Sequence, residues 1–272
     1  MERGRRNPPN DDGAADSVGG SLAGLADVNL ALTWAAMVRH SGYPSQRVGP
    51  VQMFVTGLPA SFFNGAVATG PSGDPDACIA TVVQFMAQHD VAWMLRVRDG
   101  VDDALLDAGR KAGLRDAPRS PAMGWTPIPP PPLPRPDLEI SIVDDQAGIE
   151  AHRDLTARAF GMPLEIPTRL VTEAMIADPA FAVVVGSVDG EPVSTALVSV
   201  TGTTAGVYNV ATPVEHQRRG YGRALTRAAV DEGMQRGCDH AILQSSPAGQ
   251  PVYEAMGFTH LGYYVQLEGP PG

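Results

Sequence analysis

Residues 206–225 read "GVYNVATPVEHQRRGYGRAL". The first seven have strand character and stop at Pro213. From Gly220 the spacing turns helical, with Tyr221, Ala224, Leu225 and Ala228 on one apolar face, and Gly237 is a natural helix stop. Between strand and helix, the eleven residues 215–225 hold three arginines and two glycines. The first amides of a helix have no internal partner, and the helix dipole adds about half a positive charge there. Amides in such a turn converge on phosphate oxygens when no Cβ keeps the backbone away, which is the role open to Gly220 and Gly222. Taken alone, the turn is either a plain helix cap or an anion cradle. It is not a nucleoside-triphosphate loop, which requires GxxxxGK[ST], and it lacks the third glycine of a dinucleotide fingerprint.

The neighbouring segments alternate strand and helix. "LEISIV" (138–143) reads as a strand, 146–160 as a helix, and "PTRLVTEAMIA" (167–177) as a helix with proline at its first position. "FAVVVGSV" (181–188) and "VSTALVSV" (193–200) flank Asp189–Gly190, a strong hairpin signal. After the central helix come a strand "HAILQ" (240–244), a helix over 246–258 capped by Ser246, and a closing strand. Residues 22–125 repeat the tail of this order. Strands are expected at 48–57 and 61–69, a helix at 75–88, a strand at 91–98, a helix at 101–112 and a strand ending in "AMGW". This pattern is that of a diverged internal duplication.

The proline-rich run from Thr126 to Pro136 is a semi-rigid linker rather than a recognition ligand, since ordered elements flank it. Residues 1–21 are expected to be a disordered tail, because "NPPNDDGAADSVGG" follows Arg3, Arg5 and Arg6 where a signal peptide needs an apolar segment. The expected domains are therefore 22–125 and 137–272. A formal net charge of -10 argues against nucleic-acid or membrane partners, so an anion site has to be local. Lys111 is the one lysine, which argues against Schiff-base chemistry. Cys78 and Cys238 fit no metal or disulfide spacing and read as two buried thiols in a cytoplasmic protein. His216, His240 and His260 have no metal-ligand spacing, and no metal is expected.

Gln217-Arg218-Arg219-Gly220-Tyr221-Gly222 fits the Q/R-x-x-G-x-G/A loop of the GCN5-related N-acetyltransferase (GNAT) superfamily, and "SSPAGQPVYEAMGF" (245–258) resembles its second signature segment. The resemblance covers about 137–267. It implies tandem α/β (α+β) folds, each a mixed, mostly antiparallel sheet flanked by helices, with acetyl-CoA as acyl donor. It further implies donor contacts from Val210, Ala211 and Thr212 on a splayed strand, from Gln217 to Arg223 in the loop, and from Ser246 and Tyr253. Ser246 stands where relatives often have asparagine. The backbone amide of Val210 is the implied oxyanion donor and Tyr253 the implied acid toward the leaving thiolate. Relatives often carry a glutamate base on the central strand, where this chain has Tyr208 and Asn209. Glu173 is the leading candidate instead, with Glu165, His152 or a water chain as alternatives.

At the matching place in the first half, "GPSGDPDA" (70–77) puts Asp74 and Asp76 where an anion would sit, and 101–112 offers no tyrosine. That half is expected to be degenerate. It either walls the acceptor pocket, with "FFNG" (62–65) as a candidate, or serves structurally. The expected reaction is transfer of an acetyl group to a primary amine of a small, amino-acid-like acceptor. The alternatives are a non-catalytic acyl-CoA sensor and a tRNA-dependent aminoacyl transferase. The net charge disfavours the latter.

Overall fold

The structure is a computed structural model that describes residues 20–126 and 137–270. The expected tail through residue 19 and the proline-rich linker beyond Thr126 lie outside the described residues. The first half contains α1 (Leu22–His40), β1 (Ser45–Val48), β2 (Val51–Phe54), β3 (Gly65–Ala68), α2 (Pro75–Ala87), β4 (Trp93–Arg98), α3 (Asp103–Lys111) and β5 (Arg115–Trp125). The second contains β6 (Glu139–Ile142), α4 (Gln146–Phe160), α5 (Glu165–Leu170), α6 (Glu173–Ile176), β7 (Phe181–Val188), β8 (Glu191–Thr201) and β9 (Thr204–Ala211). It ends with α7 (Tyr221–Gln235), β10 (His240–Gln244), α8 (Gln250–Glu254) and β11 (Thr259–Gly269).

The eleven strands of the described residues form one sheet in the order β1-β2-β3-β4-β11-β5-β10-β9-β8-β7-β6. Only β3–β4 and β9–β10 are parallel. Each parallel pair is followed in space by strands from both halves, because the last strand of each half crosses over. β11 pairs with β4 of the first half, and β5 pairs with β10 of the second. The two exchanged strands also pair with each other, from Thr259↔Gly124 to Glu268↔Arg115. The order strand, strand, strand, helix, strand, helix, strand runs through both halves about this central pair.

Alternation along the strands feeds a core on each face. Val183, Val185 and Leu197 meet α1, α4, α5 and α6 on one side. On the other side Ala182, Val184 and Val198 meet α7, while α2 and α3 cover β2, β3, β4 and β11. The helix α1 occupies a segment to which the sequence pattern assigns no element. It has no apolar stripe because it is buried on most sides, from Ala26 and Asp27 through Trp34 to Val38. It spans both halves. Asp27 takes a bidentate bond from Arg98 on β4 (3.0–3.1 Å), and Asn29 donates to the Ser199 carbonyl at 3.0 Å.

Four expectations are corrected. Residues 48–57 are not one strand: the chain reverses at Gly49–Pro50, with Gly49 at φ 54°, so β1 and β2 form a hairpin. Residues 61–63 are a 3₁₀ turn ahead of β3. The helix expected over 167–177 is two short helices, broken where Val171 turns extended and Thr172 caps α6. The last helix is confined to 250–254; Ser246 caps only the preceding turn, accepting from the Gly249 amide at 3.1 Å.

Candidate active site

The β8–β9 ladder runs regularly to Leu197↔Tyr208 and resumes at Thr195↔Ala211. Asn209 and Val210 therefore stand opposite Ala196 alone, a β-bulge, and Asn209 has φ 47°. On its other edge β9 pairs with β10 only from Thr204 to Gly206. Beyond Gly206 the two strands diverge, and residues 207–211 have no β10 partner. The bulge turns successive residues to different sides of the gap. Tyr208 and Asn209 line one cavity and Val210 lines another.

The cavity beside Val210 is a cleft of about 460 Å³. It is walled by Val210 and Thr212, by the turn residues Gln217, Arg218, Gly220, Tyr221, Gly222 and Arg223, and by Ala248, Gly249 and Tyr253. The turn is held open by two left-handed residues, Arg218 at φ 59° and Gly220 at φ 82°. Gln217 Nε2 anchors it to the Thr212 carbonyl at 3.0 Å. Among the described residues, α1, α2, α3 and α4 each begin on a side-chain cap, from Ser21, Asp74, Asp102 and Asp145. The helix α7 begins on Gly220 with no side-chain cap and no acidic residue in its first turn. Its leading amides and positive dipole end therefore face the cleft without a carboxylate. A Cβ at Gly222 would sit 3.3 Å from Thr212 Oγ1 and 3.9 Å from Val210 Cγ1, so the absence of a side chain keeps this corner open. An uncapped helix head, a left-handed turn and a glycine corner beside a splayed strand fit the pyrophosphate and pantetheine arm of a coenzyme A thioester.

Tyr253 is half-buried in the wall of this cleft. Burial pushes its phenol above the ordinary value of 10, with the neighbouring Thr226 hydroxyl pulling the other way. Of the other residues expected at the donor, Ala211 is buried beneath the cleft with its carbonyl accepting from Ser194 Oγ at 3.1 Å. Arg219 is turned to the rim, where it bonds the Glu215 carbonyl. Ser246 lines the cavity on the far side of the gap, and its neighbours Ala248 and Gly249 line the cleft beside Val210.

That far cavity measures about 380 Å³ and is built by both halves. From the second half come Leu197, Tyr208, Asn209, Gln244 and the Ser245–Pro247 turn. From the first come Leu30, Thr33, Trp34 and Met37 of α1, Phe62 and Phe63, Arg96 on β4, and Pro118, Arg119 and Ser120 on β5. The β5–β10 ladder covers only Ala122–Trp125. Pro118 and Pro121 supply no amide to a ladder, and the cavity opens where they stand.

None of the proposed bases reaches this cavity. Glu173 is exposed at the head of α6 and lines a separate cleft with Val143, Asp144 and Ile149, because the break at Val171 turns α6 away. Glu165 is exposed on α5. His152 is fully buried, its Nδ1 2.7 Å from Thr195 Oγ1, and burial holds its pKa down at about 4. Tyr208 donates to Asn29 Oδ1 at 2.6 Å, and burial pushes its pKa far up. Arg96 was not singled out from the sequence, where "WMLRVR" shows a solvated alternation; the structure leaves it only 4% exposed.

The corresponding turn of the first half is closed by carboxylates. Asp74 caps α2 through the Ala77 amide at 3.0 Å, and Asp102 accepts from the Ser72 amide at 2.7 Å. Among the described residues no trio of His, Cys, Asp or Glu is arranged for a metal, and no described helix is long and apolar enough to cross a membrane. Cys78 and Cys238 are buried free thiols.

Residues 149–258 match the model of the acetyltransferase (GNAT) family. No curated protein matches the chain. Among solved structures it resembles a GCN5-related N-acetyltransferase from Kribbella flavida, with TM-score 0.70 and 20% identity over 92% of this chain and 96% of that one. It also resembles one from Sphaerobacter thermophilus, with TM-score 0.57 and 18% identity over 82% and 78% of the two chains. A tandem GNAT protein from the clavulanic acid biosynthesis pathway gives TM-score 0.58 and 15% identity over 83% and 79%. Residues 149–258 are therefore similar to the acetyltransferase (GNAT) family, and the chain as a whole has the fold of the solved GCN5-related N-acetyltransferases.

Proposed function

We propose that the protein is an acetyl-CoA-dependent N-acetyltransferase, active in its second half, that acetylates a primary amine of a small molecule by direct attack. The observation that carries this reading is the pair of cavities on the two sides of the β9 bulge, one walled by the uncapped turn and the other by both halves of the chain. Bound acetyl-CoA would supply an activated acyl group and a good leaving group. The Gln217–Arg223 turn and the head of α7 would hold its pyrophosphate, and the unpaired edge of β9 at 207–211 its pantetheine arm. The Val210 amide is the donor for a developing oxyanion, a contribution of about 3 kcal/mol to the barrier where such donors have been removed. Tyr253 keeps its proton at Oη at neutral pH and, in the wall of the cleft, is the acid for the leaving thiolate. The far cavity contains no carboxylate and no imidazole among its described lining residues. The acceptor amine therefore loses its proton to water.

Thiol release from acetyl-CoA across a panel of small amines tests the reading. An amine should raise the rate above hydrolysis. Tyr253→Phe should lower kcat by on the order of 10²-fold while CoA affinity is kept. Tight CoA binding with no amine raising the rate would make the protein a sensor rather than an enzyme.

A further inference from the structure

The wall of the far cavity contains a buried charge with no carboxylate partner among the described residues. Arg96 is 4% exposed, and its Nη1 has no hydrogen-bond partner. Nη2 donates to the Phe62 carbonyl, and the guanidinium sits 5.2 Å from the Phe62 ring centroid and 6.0 Å from that of Phe54. Among the described residues no carboxylate forms an ion pair with it. Burial alone drags its pKa down, to about 10, with no acidic neighbour to restore it. The other buried arginine contacts differ: Arg98 has Asp27, and Arg227 has Asp231. An uncompensated buried guanidinium is strongly unfavourable, and the usual remedy is a counter-ion. The space beside it is an apolar cavity lined by Trp34, Phe62, Phe63, Leu170 and Leu197.

Resting on the reading that this cavity receives the acceptor, we infer that the acceptor carries a carboxylate at the end remote from its amine, bound by Arg96. One buried positive charge matches a monoanion; a phosphate dianion would leave a charge unpaired. Position excludes a simple α-amino acid. Arg96 lies on β4, and β9 is four strands away in the sheet, so the two polar ends of the acceptor cannot sit on adjacent carbons. The amine has to reach Asn209 and Ser246, which line the end of this cavity next to the cleft beside Val210. An apolar spacer, aromatic or aliphatic, therefore separates the two polar ends and lies along the aromatic wall. The first half of the chain thus supplies the specificity of the reaction, although it has no donor site of its own.

The test is binding of matched probes to the full chain in the presence of CoA, followed by calorimetry. The probes are 4-(aminomethyl)benzoate and 6-aminohexanoate, each paired with its match lacking the carboxylate, benzylamine and hexylamine. The acids should bind wild-type protein at least about tenfold more tightly than their matches, as expected for a desolvated charge pair. The margin should survive a rise in salt, because the pair is buried; a margin that disappears with salt would assign recognition to the exposed rim residue Arg119 and overturn the inference. Arg96→Met, which keeps the volume, should erase the margin while leaving CoA and hexylamine affinity within about twofold. It should also melt at or above the wild-type temperature. If Arg96→Met does not fold, the wild-type comparison of acid with match decides by itself. Equal binding of acids and matches to wild-type protein overturns the inference and leaves the acetyltransferase reading standing. Failure of CoA to bind overturns that reading instead.

Discussion

His152 shows how burial converts a plausible base into a core residue. The Thr195 hydroxyl gives its proton to the Val184 carbonyl at 2.8 Å, so it accepts from His152 Nδ1. Nε2 is buried without a hydrogen-bond partner, and this desolvation keeps the ring neutral in the folded protein, with a pKa of about 4 against an ordinary 6.5. The unfolded chain binds a proton in this interval that the folded chain does not. Stability should consequently fall as pH drops below 6.5 and level off below about 4, a loss of about 3 kcal/mol from this group. His152→Leu should remove that part of the slope in urea titrations between pH 7 and 4; an unchanged slope would show that the ring is protonated when folded. Residue identity was enough to suggest His152, Glu165 and Glu173 as bases, since all are titratable and lie near the expected pocket. Orientation was not legible, because a side chain's environment is made by segments far away in sequence. Arg96 is the opposite case. It looks like a solvated strand residue and becomes buried only when β11, Phe62 and α1 close over it.

At the scale of elements, local signals were sound wherever the residues themselves dictate geometry. Asp189–Gly190, at φ 52° and 80°, makes the β7–β8 hairpin, and Gly237 at φ 88° ends α7. The helix at 146–160 has the bounds expected of it, with Asp145 and Gly161 as its caps. Signals failed where two choices are close in energy. Gly49–Pro50 reads as a continuation of a strand but reverses it, and the 167–177 segment yields two short helices because Thr172 offers a competing cap. In the proposed function, the turn at 217–223 is the element on which donor binding would depend. Replacing Gly222 with leucine improves local helix propensity by nearly 1 kcal/mol, so the fold should hold. The side chain would fill the corner between Thr212 and Val210, and CoA affinity should drop about a hundredfold, near 2.7 kcal/mol. Calorimetry with CoA measures this, and unaltered affinity would remove the turn from the donor site.

At the scale of the molecule, the exchange of β5 and β11 ties the two halves into one sheet. The helix α1 adds a strap, bonded to β4 through Asp27–Arg98, to β8 through Asn29 and Thr33, and to Asp178 through His40 at 2.8 Å. Neither half can lose its strands without exposing the open edges of the other. Thermal unfolding of the full chain should therefore be one transition, with calorimetric and van't Hoff enthalpies in agreement. Two resolved transitions in scanning calorimetry would contradict this. The sequence by itself determined what short-range physics controls: the strand-to-helix turn, the glycines that open it, the order of elements and its repetition in both halves. Those features depend on neighbours within a few residues. The tertiary structure alone decided that each half lends its last strand to the other, that α1 covers both, and that the far cavity is walled by both halves around Arg96. Alternation marks a strand's two faces but leaves its edge partners unspecified, so the pairing that builds the cavity is settled only when the whole sheet assembles.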